Sequence, residues 1–159
     1  MLLSKNSIIN KNIIIIITCC ILFIFDQIIK FNVVNFINNE SKISIISFLN
    51  LFNIVYLKNS GIALGIFYNK NLIIIIIITI FLINSIIWMY LNWNKFNYLK
   101  KYSLCIIITG GFCNLVDRVL YGGVIDYLDI GIKTIRWPVF NLADLLIILS
   151  IILFFLSSI

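Results

Sequence analysis

Four stretches of about 20 residues, each almost wholly apolar, constrain this chain more than any other feature: roughly Ile13 to Val34, Leu72 to Leu91, Tyr102 to Tyr121, and Val139 to Ser158. A helix needs roughly 20 apolar residues to cross the hydrocarbon core of a bilayer. With 62% of 159 residues hydrophobic, 11% charged, and a mean hydropathy of +1.13, most of the chain has lipid as its solvent. The pattern predicts an all-α membrane protein of four transmembrane helices. It leaves one membrane-embedded domain over residues 1–159, with longer loops over about 35–71 and 122–138.

Lys5 and Lys11 precede the first apolar run as they would in a secretory signal peptide. No Ala-x-Ala type of cleavage site follows, and three more apolar segments do, so the run is expected to remain as the first helix. The net charge of +6 comes from scattered residues between spans, which points to membrane topology and away from nucleic acid. Lys5, Lys11, Lys95, Lys100 and Lys101 fall in two short segments without an acid, whereas Lys42, Lys58, Lys70, Lys133 and Arg136 are spread through loops holding Glu40, Asp126 and Asp129. The positive-inside rule then places both termini in the cytoplasm.

The first long loop reads differently from the helices. Ile43, Ile45, Phe48, Leu49, Leu51, Ile54, Val55 and Leu57 alternate with Ser and Asn, and Ser60-Gly61 marks a turn. A small extracytoplasmic β-rich segment between the first and second helices, resting on the membrane, is expected there. The second loop carries Gly122-Gly123 and Pro138, the chain's single proline, and is expected to be irregular. Asn92 to Lys101 reads as a short cytoplasmic hairpin. The cysteines Cys19, Cys20, Cys105 and Cys113 form no Cys-x-x-Cys pair and are read as buried apolar thiols.

Against this apolar background, the placement of the acids stands out. Of only six Asp and Glu residues, Asp26, Asp117 and Asp144 fall inside predicted spans and Asp126 just beyond one. A carboxylate at mid-bilayer costs about 2.5 to 3.5 kcal/mol even on the lenient insertion scale, so these residues need partners or a purpose. Asp26 and Lys30, spaced i, i+4, can pair on one helix face. Asn114, Asp117 and Arg118 form a polar stripe, with Asp117 read as a structural clamp and Arg118 either snorkelling outward or binding an acid. At about 1.5 Å rise per residue, Asp117 lies about 6 Å, Asp144 about 7 to 8 Å and Asp26 about 12 Å from the outer helix ends, which suggests one shared outward-facing polar site.

The chain has no histidine, which excludes Ser-His-Asp and Cys-His catalysis and a His-Glu-x-x-His zinc site. What remains is carboxylate chemistry: two acids close enough that one keeps its proton while the other is ionised, together activating water and protonating a leaving amine. Asp126 and Asp144 are the pair of choice, each at a junction of outer loop and helix.

Taken in order, the motifs are Asp26-Gln27-x-x-Lys30, Asn59-x-Gly61-x-Ala63, Gly110-Gly111-x-x-Asn114-x-x-Asp117-Arg118, Gly122-Gly123-Val124-Ile125-Asp126-Tyr127, and Phe140-Asn141-x-Ala143-Asp144. Their order and spacing resemble the bacterial lipoprotein signal peptidase family, also called signal peptidase II, over essentially the whole chain. The resemblance implies an aspartic endopeptidase of the bacterial inner membrane. Such an enzyme cuts prolipoproteins on the amino side of a diacylglyceryl-modified cysteine and works as a monomer without metal or cofactor. Carried over by motif, Asp126 and Asp144 form the catalytic dyad. Asn59, Gly61, Asn114, Arg118 and Asn141 line the substrate site or brace the dyad, and Asp26, Lys30 and Asp117 support them.

Four positions depart from the usual pattern: Leu64 for Phe, Cys113 for Gly, Tyr127 for Phe, and Leu145 for Ser. None removes a carboxylate, though Leu64 lies in the loop expected to cover the site. Two rival readings are an ion-coupled transporter using intramembrane carboxylates as relays, and a noncatalytic assembly factor. The absence of an internal repeat counts against the transporter.

Overall fold

The computed structural model describes residues 2–39, 46–48, 51–61 and 71–157, with side chains placed over 11–36, 51–61 and 71–157. In chain order the elements are α1 (Leu2–Asn39), β1 (Ile46–Phe48), β2 (Phe52–Asn59), α2 (Asn71–Asn92), α3 (Tyr98–Tyr121), β3 (Val124–Ile132), β4 (Ile135–Arg136) and α4 (Leu142–Leu156). Ile43, Ile45, Ala63 and Leu64 lie outside the described residues.

Among the described residues, three helical segments are long and apolar enough to cross a membrane: Lys11–Phe36, Asn71–Lys95 and Tyr98–Tyr121. The helix α1 starts well before the expected Ile13, because Ser4 to Asn12 contains no glycine or proline to stop it. The helix α4 has 15 residues and is shorter than the segment expected from Val139. Its start is set by Asn141, whose side chain accepts from the Asp144 N–H at 2.9 Å while Asp144 Oδ2 accepts from the Asn141 N–H at 3.3 Å. This reciprocal capping box fixes the first turn at Leu142.

Each of the other three helices packs on α3. Gly110 permits the tightest of these contacts, since a Cβ there would lie 2.7 Å from Ile147 Cγ1 and 2.9 Å from the Ala143 carbonyl oxygen. Apolar side chains cover most of the helix exteriors, as lipid-facing surfaces require. The thiols follow the same logic. Cys113 alone is buried, Cys19 and Cys105 are half-buried, and Cys20 faces outward, which corrects the reading of four buried thiols. A thiol is already comfortable facing acyl chains.

The chain is mostly helical with β structure in the first loop as expected, but the second loop is not irregular. The two loops contribute two strands each to one antiparallel sheet of order β1-β2-β3-β4. Val124 to Ile132 is rich in β-branched and aromatic residues, which favour a strand. The glycines before it have separate tasks. Gly122 takes the left-handed conformation (φ 74°) that ends α3, with its N–H on the Arg118 carbonyl. Gly123 lets β3 approach β2, since a Cβ there would sit 2.9 Å from the Asn59 carbonyl oxygen. The β2–β3 register pairs Leu57 with Asp126 and Asn59 with Val124, after an irregularity between Ile54 and Leu57.

Candidate active site

Two elements bring the proposed carboxylates together. Asp126 is the third residue of β3 and is 2% exposed, while Asp144 is held in the first turn of α4 by the capping box. Both line one cavity of about 600 Å³, together with Asn59, Gly61, Asn114 and Arg118. The rest of that wall is apolar, including Phe81 and Leu82 of α2, Ile107 of α3 and Ile147 of α4.

Two asparagines bridge the carboxylates. Asn141 Nδ2 donates to Asp126 Oδ1 at 2.8 Å and to Asn114 Oδ1 at 3.1 Å, and Asn114 Nδ2 donates to Asp144 Oδ1 at 2.8 Å. Asn59 closes the far side, donating from Nδ2 to Asp126 Oδ2 at 3.1 Å and accepting the Gly61 N–H on Oδ1 at 3.1 Å. Each amide therefore has its orientation fixed by a second partner, because an amide oxygen can only accept and its nitrogen only donate.

Lys30 orients the network from behind. The fully buried ammonium meets Asp117 Oδ2 at 2.7 Å, Asp26 Oδ2 at 2.8 Å and Asn114 Oδ1 at 3.1 Å. Three N–H groups thus find three acceptors, and the Asn114 amide is forced to turn its NH₂ toward Asp144. The i, i+4 pair expected of Asp26 and Lys30 exists as part of this larger cluster. Asp26 also accepts the Ala143 N–H at 3.1 Å, tying α1 to the start of α4, and Asp117 accepts the Ile125 N–H at 3.4 Å, tying α3 to β3.

Arg118 does not snorkel, and among the described residues it pairs with no carboxylate. Its Nη2 donates to the Gly61 carbonyl at 2.7 Å and Nη1 to the Asn59 carbonyl at 3.5 Å, so it grips the backbone of the turn that carries Asn59. Three further residues escaped the sequence reading as parts of the site. Gln27 donates to Asp117 at 3.1 Å and Asp26 at 3.3 Å, Asn71 donates to the Arg118 carbonyl at 3.0 Å, and the Tyr127 hydroxyl accepts the Leu142 N–H at 3.2 Å. Gln27 could have been found from its place in the first motif. Asn71 left no signal.

Burial raises the Asp126 carboxyl, and the neighbouring Asp144 charge raises it further, against the amides of Asn59 and Asn141; together they push it up to about 7. Burial also pushes the Tyr127 phenol up. Farther along β3, Arg136 holds the Asp129 carboxyl below the ordinary range through a 2.6 Å hydrogen bond, with Asn53 adding a second. Two carboxyls in a single cavity, one of them raised in its hold on a proton, have the chemistry to supply an acid and a base to a bound amide.

The sequence comparisons with known proteins agree on one family. The family model described as signal peptidase (SPase) II matches residues 18–159. The lipoprotein signal peptidase of Thermodesulfovibrio yellowstonii is 34% identical over 138 residues, covering 84% of this chain and 86% of the relative. That of Wigglesworthia glossinidia brevipalpis is 40% identical over 120 residues, covering 74% and 77%. A bacterial membrane enzyme solved by the in meso method at 2.3 Å matches with a TM-score of 0.77 and 25% identity, covering 91% of this chain and 86% of its own. A second, solved at 1.9 Å, gives a TM-score of 0.76 at 26% identity, covering 91% and 92%.

Proposed function

The chain belongs to the signal peptidase II family, an integral membrane peptidase that removes signal peptides from prolipoproteins, and from that membership we propose an aspartic mechanism centred on Asp126 and Asp144. The observation that carries it is the asparagine bridge that holds both carboxylates in one cavity. Asp126, raised to about 7, holds the shared proton near neutrality, and Asp144 acts as the base. Asp144 takes a proton from a water as its oxygen attacks the scissile carbonyl, while Asp126 donates to the carbonyl oxygen. Collapse of the tetrahedral species breaks the C–N bond: Asp126 takes back its proton from the gem-diol as the carbonyl re-forms, and the proton on Asp144 passes to the leaving amine.

The supporting residues position these two. Asn114 and Asn141 set the carboxylate orientations, Asn59 holds Asp126 from the far side, and Arg118 fixes the Asn59 to Gly61 turn through its carbonyls. Lys30, Asp26 and Asp117 lock Asn114. No metal or cofactor enters the scheme.

The substrate is a prolipoprotein whose cysteine carries a diacylglyceryl group, cut on the amino side of that cysteine. Its apolar signal helix lies against the wall formed by Phe81, Leu82, Ile107 and Ile147, and its acyl chains stay in lipid. The chain acts as one domain and as a monomer in the bacterial inner membrane. Its helix α4 makes the fourth crossing with help from flanking residues, and both termini are cytoplasmic with the sheet outside. A transporter reading finds no support among the relatives.

Asp126→Asn and Asp144→Asn are expected to lower cleavage of a diacylglyceryl-modified precursor by about 10² or more while the protein remains inserted. Full cleavage by either variant in reconstituted vesicles would remove the dyad assignment. Equal cleavage of modified and unmodified precursors would remove the lipid requirement.

A further inference from the structure

Strand pairing settles which side chains share a face of the sheet, because directly opposed residues project to the same side and neighbours along a strand alternate. Asp126 lies opposite Leu57, and its face of β3 continues outward through Leu128, Ile130 and Ile132. Ile132 pairs with Ile135, and Trp137 continues that ladder, its N–H donating to the Ile130 carbonyl at 2.8 Å. This face is apolar beyond Asp126 and uncovered: Ile132 is 65%, Ile135 82% and Trp137 66% exposed. The opposite face at the same end is polar, with Asn53 and Arg136 both bonded to the Asp129 carboxylate.

The sheet is therefore amphipathic at its free end. It is bracketed by α3 and α4, and the last turn of α3 exposes Val119 and Leu120 immediately before β3 begins. A cation completes the pattern, since Lys133 stands exposed at the hairpin tip between Ile132 and Ile135. An indole, two branched aliphatic side chains and an ammonium, opposite a polar face, match the boundary between lipid headgroups and acyl chains.

We propose that the β3–β4 hairpin is a lipid anchor, with Ile132, Ile135 and Trp137 seated in the headgroup–acyl boundary of the outer leaflet and Lys133 at the lipid phosphates. The inference rests on the reading that both long loops lie outside the membrane. Ile132, next to the hairpin tip, and Asp126 belong to one nine-residue strand, so anchoring that end fixes the height of the carboxylate over the bilayer. It also turns the face bearing Asp126 toward lipid. A lipid-modified precursor then reaches the cavity sideways from the outer leaflet, without passing through water.

The test uses the full chain with Trp88→Phe and Trp93→Phe, which leaves Trp137 as the sole indole, reconstituted in nanodiscs of phosphatidylglycerol and phosphatidylethanolamine. With lipids brominated along the acyl chains, Trp137 should lose more than about half of its emission, as an indole seated about 5 to 10 Å deep would. Acrylamide in the water should quench it weakly, and Ile132→Ser with Ile135→Ser should make it acrylamide-accessible. Trp137 emission indifferent to bromolipid and open to acrylamide overturns the anchor. Shielding that appears only as protein concentration rises also overturns it, in favour of a second copy. The precursor-cleavage assay on the same nanodiscs is a separate readout: quenching without cleavage sinks the peptidase mechanism and leaves the anchor standing.

Discussion

At the scale of single residues, the carboxylates depend on buried donors whose acceptors are fixed one by one. Lys30 shows this most plainly, since its ammonium is shared among two carboxylates and an amide oxygen with no access to water. Lys30→Met leaves Asp26 and Asp117 buried without their cation, and removing one partner of a buried pair typically costs about 3 to 5 kcal/mol. The melting temperature in detergent should fall sharply, and Asp117→Asn added to Lys30→Met should recover part of the loss. An unchanged melting temperature would contradict the cluster's structural role. Asp126 gives a pH signature. The proposed acid is active while protonated, so kcat/KM for a modified precursor should decline as pH rises through about 7. The same shift has a stability consequence: a carboxyl raised in the folded protein favours folding below its ordinary pKa, and that contribution is lost as pH rises toward 7. The Asn141 amide favours the ionised form, so Asn141→Ala should move the decline to higher pH while lowering the rate. A decline at unchanged pH would mean that Asn141 does not act on Asp126.

At the scale of elements, close approach matters more than propensity. Gly110→Ala would press a methyl group against the Ala143 carbonyl and Ile147, on the helix that carries Asp144 in its first turn. Overpacking of this kind costs about 1 to 3 kcal/mol, and kcat should fall because α4 must shift. A variant with normal kcat and melting temperature would show that α4 can yield without moving its carboxylate. The elements also show what the sequence disclosed. The acids were legible because charge in an apolar run has no ordinary explanation, and the Asp26–Lys30 spacing showed one pairing directly. Strand β3 was missed because Gly122 and Gly123 were read together as irregular, when one ends α3 and the other admits β2. The start of α4 was readable in principle, since Asn141 with Asp144 three residues later has the spacing of a capping box. Arg118 was not readable: its acceptors are backbone carbonyls 57 and 59 positions away, which leave no side-chain pattern.

For the whole molecule, the arrangement predicts a sidedness that can be measured without substrate. In a chain with its four cysteines replaced, Thr134→Cys at the hairpin tip should react with a membrane-impermeant maleimide added outside right-side-out vesicles. Asn94→Cys, between α2 and α3, should react only after the vesicles are opened. The reverse pattern would invert the topology and place the cavity on the cytoplasmic side. The dense lysines at positions 95, 100 and 101 carry the sidedness expected, but the sheet that joins the two long loops was not legible, because strand pairing between segments some 70 residues apart leaves no mark in either.

The Lys30 to Asn114 to Asp144 connection also carries information about timing. Lys30 belongs to the first helix made by the ribosome, Asn114 to the third and Asp144 to the last. Asp126 receives its Asn141 hydrogen bond from that same last helix. A nascent chain with three helices inserted therefore holds one carboxylate and an amide with nothing to orient. On the proposed dyad, proteolytic competence waits until α4 docks and its first turn closes, so a copy lacking α4 would leave the precursors around it uncut.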